Sequence, residues 1–130
     1  MALVVLDASV VIAFLDSNDA HHAAAVATVA AARDDEIVLP ASAYAEVLVG
    51  PYRRGSSAVR QVEEFVADLG MRIEPLTREI ASRAAHMRAK AASVRLPDAL
   101  VLATGDALRA GRILTADRGW PAISKRARVI

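Results

Sequence analysis

Short apolar runs alternate with longer stretches of helical periodicity along this chain. The first run, Ala2–Leu6, is continuous and rich in valine, which is typical of a strand buried on both faces of a parallel sheet. Similar runs predict further strands at Ile37–Leu39, Met71–Leu76 and Ile113–Thr115, with Arg128–Ile130 as a candidate fifth. The pattern therefore predicts a sheet of four to five strands.

The segments between these runs repeat apolar residues at the spacing of helix turns. They predict helices from about Ser9, at His21–Arg33, from Pro40 to Gly50 and Pro51, at Ala58–Leu69, from Thr77 to about Ala92, and at Asp98–Ala110. Gly50 and Pro51 are expected to end the third helix, and Arg53–Ser57 to form a loop. Strands that alternate with helices indicate a central parallel sheet flanked by helices and joined by right-handed crossovers. Because residues 1–130 contain no internal repeat or linker, we expect one α/β domain.

The composition narrows the classes of function. The 130 residues are 55% hydrophobic and 4% aromatic, so the core must consist of small aliphatic side chains. The absence of cysteine excludes disulfides, thiol nucleophiles and thiolate zinc sites. A net charge of +1 does not by itself require a nucleic-acid partner. The first residues do not resemble a signal peptide, and the most apolar stretch, Ala23–Ala32, is too short to span a bilayer. We therefore expect a cytoplasmic protein that does not contact a membrane.

Four acidic residues occupy the positions that an α/β fold brings together. Asp7 ends the first apolar run, Asp117 follows the fourth, Glu46 lies within the third predicted helix, and Asp98 follows Pro97 at a predicted helix start. Strand ends and helix N-termini of this kind meet at the carboxyl edge of a parallel sheet, where open α/β folds bind their ligands. A cluster of carboxylate oxygens suits Mg²⁺ or Mn²⁺. The set therefore predicts a metal-dependent phosphodiesterase, with a ribonuclease as the favoured form.

Each acid also has a structural interpretation when it is considered alone. Asp98 could complement a helix dipole, Glu46 could be a solvated helix residue, and Asp117 could shape a turn. However, Glu46 and Asp98 both interrupt apolar neighbourhoods, and like charges are costly to bury together unless a cation compensates them. This cost favours the functional interpretation of the four acids as a set. The hydroxyls of Ser9 and Thr115 are candidates for a supporting layer around the metal, and helix caps are the alternative.

The four acids lie in segments that resemble a known family. These segments are V-V-L-D-A-S at Val4–Ser9, A-Y-A-E-V-L around Glu46, L-P-D-A-L-V-L-A around Asp98, and I-L-T-A-D-R-G-W at Ile113–Trp120. In order and spacing they resemble PIN-domain nucleases, and within that family the VapC-type toxins of bacterial toxin–antitoxin modules. The resemblance implies a flavodoxin-like PIN domain with Mg²⁺- or Mn²⁺-dependent endoribonuclease activity, a VapB-type antitoxin and a homodimer.

The resemblance also implies roles for the acids. Asp7 and Asp98 would bind the ion directly, Glu46 would hold it or orient the attacking water, and Asp117 would act through water or on a second ion. Two positions depart from the family pattern: Ala8 stands where Thr or Ser is common, and Gly119 stands where a fifth acid or Asn is common. The second departure favours a single ion.

Other functions compete with this interpretation. A phospho-receiver domain needs an acid pair after the first strand and usually a late lysine, but Leu6 precedes Asp7 and no lysine follows Ile113–Thr115 directly. A haloacid-dehalogenase-like phosphatase needs Asp-x-Asp, and Ser9 replaces its second Asp. The remaining alternative is a catalytically silent PIN-fold module that binds RNA or regulates. Arginine groups near residues 53–60 and 118–128 are expected either to contact RNA or to form a solvated surface.

Overall fold

The computed structural model describes residues 2–130, which form five β-strands and six α-helices. The strands are β1 (Leu3–Leu6), β2 (Glu36–Pro40), β3 (Arg72–Glu74), β4 (Arg112–Thr115) and β5 (Ala127–Val129). The helices are α1 (Ala8–Leu15), α2 (His22–Ala31), α3 (Ala41–Arg54), α4 (Ser56–Asp68), α5 (Arg78–Lys90) and α6 (Leu96–Ala107). A 3₁₀ helix covers Trp120–Ala122.

The five strands form one parallel sheet in the order β3-β2-β1-β4-β5. Val5 of β1 pairs with Val38 of β2 on one side and with Ile113 of β4 on the other. The chain thus starts in the middle of the sheet, builds β2 and β3 on one side, and then crosses to build β4 and β5 on the other. This arrangement confirms the predicted α/β fold. It also places a topological switch point between β1 and β4, where such sheets bind ligands.

The central strands are buried on both faces. Val4, Val5 and Leu6 are fully buried, and so are Val38 and Leu39 of β2. This burial explains why the sequence shows continuous apolar runs rather than alternation. A second, smaller core of Ile80, Ala84, Val94, Ala99 and Ala103 joins α5 to α6. Among residues 2–130, no helix has the length and apolar character that crossing a bilayer would require.

Helix α6 packs closely on the sheet because it carries Gly105. A Cβ atom at this position would lie 2.3 Å from Cδ1 and 2.6 Å from Cγ1 of Ile113 in β4. Real side chains do not approach this closely, so a larger residue would push the helix away from the sheet. The glycine therefore fixes the distance between β4 and the helix that carries Asp98.

The predicted end of the third helix was wrong. Helix α3 continues through Gly50 and Pro51 to Arg54, and the break falls at Gly55, where φ is 129°. The Pro51 ring cannot donate a hydrogen bond within the helix, but it is buried, and this burial offsets the lost bond. Only glycine readily adopts the backbone angle at position 55. Consequently α3 and α4 follow one another directly, and Arg53–Ser57 is not a loop.

Two smaller predictions also need correction. Pro40 ends β2 and caps α3 rather than entering its first turn. Helix α6 ends at Ala107 rather than at Ala110, because the backbone turns at Arg109 with a φ of 53°. The strands predicted at Met71–Leu76 and at the C-terminus are confirmed, and each lies at an edge of the sheet. Thr77 caps α5, with its hydroxyl accepting a 3.2 Å hydrogen bond from the Ile80 amide.

Candidate metal-binding and catalytic site

Asp7 lies at the centre of the carboxyl edge of the sheet, between the end of β1 and the start of α1. Its backbone amide donates to the Leu114 carbonyl at 2.9 Å, and this bond ties the end of β1 to β4. The residue is only 8% exposed. Burial raises the pKa of the Asp7 carboxyl above its ordinary value, while the hydroxyls of Ser9 and Thr115 and nearby backbone amides oppose the rise. Asp7 is therefore a buried acid whose ionised form is stabilised by hydrogen bonds from its neighbours.

Ser9 and Thr115 hold the same oxygen of Asp7. The Ser9 hydroxyl donates to Oδ2 at 2.7 Å, and the Thr115 hydroxyl donates to Oδ2 at 3.0 Å. The two hydroxyls accept in turn from backbone amides, Ser9 from Ala116 and Thr115 from Asp117, both at 3.0 Å. Two of these four bonds, from Thr115 to Asp7 and from Ala116 to Ser9, connect the end of β1 and the start of α1 to the end of β4 and the segment after it. The carboxyl of Asp7 consequently has a defined orientation.

Glu46 and Asp98 approach Asp7 from two different helices. Glu46 lies in the second turn of α3, and Asp98 lies in the first turn of α6. Burial raises the pKa of Glu46, and the charges of Asp7 and Asp98 raise it further. Burial likewise raises the pKa of Asp98, to which the charges of Asp7 and Asp117 add. The acids therefore lie near enough to one another to repel.

Asp117, like Glu46, is exposed to solvent. It follows β4, and its Oδ1 accepts a 2.8 Å hydrogen bond from the Gly119 amide, which forms a tight turn. This contact agrees with the turn-forming interpretation of the residue, while its electrostatic effect on Asp98 places it beside the other acids. The structure thus brings all four predicted acids to the edge where the sequence predicted them. Their catalytic roles remain predictions.

The acids share one edge without forming a compact ligand group. Among residues 2–130, no three acidic or histidine side chains are arranged closely enough to hold a metal ion as they stand. The chemistry of the set still suits a hard divalent cation, because its donors are all carboxylate oxygens and their mutual repulsion would be relieved by positive charge. The cation that does approach them is Arg95, whose Nε lies 3.9 Å from Oδ2 of Asp98.

Two concave surfaces border the acids. A groove of about 480 Å³ runs from Glu46 between α1 and α3, and it is lined by Ile12, Leu15, Asp16, Glu46, Val47, Gly50, Pro51, Arg54 and Gln61. A smaller pocket of about 100 Å³ lies on the other side of the acids, lined by Ser93, Val94, Asp98, Asp117, Gly119, Trp120 and Ile123. Each surface therefore contains at least one of the four acids.

Sequence reasoning missed one residue beside the site and did not decide whether the arginine groups contact RNA or form a solvated surface. It did not single out Arg95, although the spacing of three residues to Asp98 is the signal that could have found it. The structure gives the arginines of the two predicted groups different surroundings. Arg126 pairs with Asp106 at 3.3 Å, and Arg128 donates to the Lys125 and Ala127 carbonyls, so both have internal partners. Arg54 instead lines the groove beside Glu46.

Solved structures with this fold include several proteins of toxin–antitoxin systems. VapC20 of Mycobacterium tuberculosis, described as a sarcin-ricin loop cleaving toxin, superposes with a TM-score of 0.77 at 18% sequence identity, covering 92% of this chain and 93% of its own. A toxin–antitoxin complex from Klebsiella pneumoniae gives 0.76 at 20% identity, covering 97% and 96%. FitAcB from Neisseria gonorrhoeae gives 0.77 at 20% identity, covering 98% and 96%. At these identities the likeness shows the fold.

The sequence comparison identifies the family. No curated protein matches the chain in sequence. A model of the PIN domain, however, matches residues 4–126, a range that includes all four acids as well as Ser9 and Thr115. This match extends over nearly the entire length of the chain. The resemblance to PIN domains is therefore confirmed: the chain belongs to the PIN domain family.

Proposed function

We propose that this protein is a metal-dependent endoribonuclease that hydrolyses RNA phosphodiester bonds and acts as the toxin of a VapBC-type toxin–antitoxin module. The observation that carries the proposal is the convergence of three acids at the switch point of the sheet: the buried Asp7 at the end of β1, and Glu46 of α3 and Asp98 of α6, both near enough to feel its charge. Like charges gathered beside an exposed and loosely paired cation, Arg95, cost stability, and this cost is explained if the charges bind a ligand. Membership of the PIN domain family supports the same conclusion.

The residues suggest how the site would work. Asp7 and Asp98 would hold Mg²⁺ or Mn²⁺, with Glu46 and Asp117 completing the set. When bound, such an ion lowers the pKa of water and offsets the charge of the phosphate. Ser9 and Thr115 keep Asp7 oriented, and Glu46, which is exposed at the edge, is placed to orient a water or accept its proton. No side-chain nucleophile is required.

The groove between α1 and α3 supports the toxin part of the proposal. Its apolar lining includes Ile12 and Leu15, which are 41% and 39% exposed, and such a surface suits the apolar face of an amphipathic partner helix. Because Glu46 lies in the same groove, a partner seated there could place a basic side chain on the acids. The related structures from Klebsiella pneumoniae and Mycobacterium tuberculosis are described as a toxin–antitoxin complex and a toxin. We propose that a VapB-type antitoxin occupies this groove.

A homodimer is part of the same proposal. Large apolar side chains are exposed on α3 and at the start of α6: Val49 is 50% exposed, Tyr52 is 67% exposed and Leu96 is 49% exposed. An interface between two copies would remove this apolar area from water.

The proposed activity is tested with purified protein and labelled RNA. Wild type is expected to cleave RNA in Mg²⁺ or Mn²⁺ and to stop when EDTA is added. Asp7→Asn and Asp98→Asn should abolish cleavage while leaving the fold intact or more stable, because each removes a repelled charge. Glu46→Gln should also be severe, and Asp117→Asn should be milder.

The matched control is Asp34→Asn, which removes an exposed carboxylate in the turn before β2, away from the acidic edge. It should cleave RNA at the wild-type rate. If Asp7→Asn and wild type cleave RNA equally, the assignment of the acids is wrong. If wild type binds RNA or a partner but never cleaves in either metal, the catalytically silent module becomes the better account.

A further inference from the structure

The loop between α5 and α6, residues 91–95, ends at the acidic edge and has two features that the proposed reaction does not yet use. Ser93 and Val94 line the small pocket beside Asp98 and Asp117. Arg95 follows them directly and lies next to Asp98 on the solvent side. One short segment of chain thus presents a pocket and a cation to the same point of the site.

Arg95 is available to a ligand. Its side chain is 80% exposed, and the 3.9 Å between its Nε and Oδ2 of Asp98 exceeds the length of a hydrogen bond. An exposed ion pair of this length contributes little stability, so the guanidinium can leave Asp98 at small cost. Its planar donors suit the oxygens of a phosphate. At the rim of an otherwise acidic edge, Arg95 is a positive group that can attract an RNA backbone.

The pocket beside Arg95 is small and partly apolar. Its volume of about 100 Å³ is well below the roughly 300 Å³ at which pockets begin to enclose drug-sized ligands. Val94, Trp120 and Ile123 supply apolar walls, and the exposed Ser93 supplies a hydroxyl at the rim. Because Asp98 and Asp117 form part of the wall, a ring in this pocket would lie next to any phosphate held by the acids.

We propose that the α5–α6 loop forms a subsite for one unpaired nucleotide of the RNA next to the scissile phosphate. Arg95 contacts a backbone phosphate, and the pocket behind Ser93 takes the base. A base can enter such a pocket only when it is splayed out of a helix, as in loops and single strands. The subsite rests on the proposed ribonuclease function, and it adds that the α5–α6 loop makes the enzyme discriminate among bases at one position next to the cut.

The two parts of the subsite predict different effects, because phosphate contacts position an RNA whereas base contacts specify its sequence. Ser93→Leu, which fills the pocket mouth, should change the base frequencies at one position next to the cut about tenfold or more, as expected for a lost base contact. Arg95→Ala should slow cleavage of all sequences alike. It should also reduce the salt dependence of binding by about 0.7 in log–log slope, which corresponds to one phosphate on a single strand.

The experiment uses a pool of randomised single-stranded RNA, with cleavage ends sequenced and binding measured in parallel in an Asp7→Asn background. Ala92→Leu and Arg88→Ala are the controls, since both residues are exposed neighbours that do not line the pocket. They should match wild type. If Ser93→Leu leaves the base frequencies unchanged, or Arg95→Ala leaves the salt slope unchanged, the subsite is refuted. If wild type does not cleave at all, the ribonuclease proposal fails, and the base frequencies of bound RNA still decide on the subsite.

Discussion

The hydroxyl of Thr115 donates a 3.0 Å hydrogen bond to Oδ2 of Asp7, a residue 108 positions earlier in the chain. The bond joins the ends of β1 and β4, the two neighbouring strands between which the strand order reverses. Thr115 is fully buried and also accepts from the Asp117 amide. One hydroxyl therefore orients the carboxyl of Asp7 and holds the backbone of Asp117.

We expect Thr115→Val to impair the site without changing its shape. The variant removes a donor to a buried carboxylate, which should cost about 1.5–3 kcal/mol in the free energy of unfolding if the acid remains charged. Loss of this supporting contact should reduce cleavage about 10- to 100-fold. Because the pKa of Asp7 would rise further, the acidic limb of the rate profile should move to higher pH. Thr115→Ser keeps the hydroxyl and should restore the wild-type profile. An unshifted profile in Thr115→Val would mean that the residue only packs.

The raised pKa values of three acids predict that the stability of the fold falls as the pH rises. Burial raises the pKa of Asp7, Glu46 and Asp98, so the folded state holds these protons more tightly than the unfolded chain does. Their ionisation therefore destabilises the fold. The cost is absent at a pH below the ordinary pKa values, 3.8 for Asp and 4.5 for Glu, and it grows as the pH rises towards the raised pKa values of the folded state. In EDTA, wild type should lose stability relative to Asp7→Asn over this range. Urea unfolding at several pH values measures the difference.

Mg²⁺ or Mn²⁺ should reverse this trend, since an ion binds the charged carboxylates of the folded state. Asp34→Asn should behave like wild type in both conditions. An equal pH dependence in Asp7→Asn and wild type would show that burial of the ionised Asp7 does not cost stability in the folded protein.

Two helical glycines should respond oppositely to alanine. Gly105→Ala would place a Cβ 2.3 Å from the Ile113 side chain, and overpacking of this kind costs about 1–3 kcal/mol. Gly50→Ala meets only the flexible end of Arg54 at 3.4 Å, so it should stabilise α3 by roughly 0.5–1 kcal/mol. Denaturant unfolding of both variants measures the contrast. If Gly105→Ala is as stable as wild type, α6 does not depend on close approach to β4.

A substitution in the groove should prevent neutralisation by the antitoxin while leaving the toxicity of the protein intact. Leu15→Lys places a charge in the apolar lining, so co-expression of the proposed antitoxin should no longer restore growth, whereas RNA cleavage should persist. Val26→Lys is the control, because Val26 is 40% exposed, almost the same as the 39% of Leu15, but does not line the groove. Growth on co-expression and recovery of the purified complex are measured. Full neutralisation of Leu15→Lys would exclude this groove as the antitoxin site. If wild type expressed alone does not slow growth, the toxin proposal itself fails.

The proposed homodimer makes a further prediction. Wild type should be a dimer by light scattering at tens of micromolar, and Tyr52→Lys should shift it to monomer, because a charge would be buried in the interface. Leu76→Lys changes a side chain that is 51% exposed outside α3 and α6, and it should remain dimeric. A monomeric wild type at this concentration, which would fill an interface of micromolar affinity, contradicts the dimer.

Local signals in the sequence were enough to place each acid. The valine-rich run before Asp7 and the proline before Asp98 are short-range features, and they identify a strand end and a helix start without knowledge of the rest of the chain. The alternation of strands and helices then made a parallel sheet and its carboxyl edge predictable. The fold class and the convergence of the four acids on one edge therefore follow from the order of residues along the chain.

Only the tertiary structure decided how these parts meet. The local signals at Gly50 and Pro51 predicted a helix end, but burial of Pro51 outweighed them and the chain turned at Gly55 instead. The bond from Thr115 to Asp7, the approach of Arg95 to Asp98 and the pocket at Ser93 depend on which strands are neighbours and on how closely α6 packs. Contacts between residues far apart in sequence arise from the packing of whole elements, and no short segment carries a signal for them.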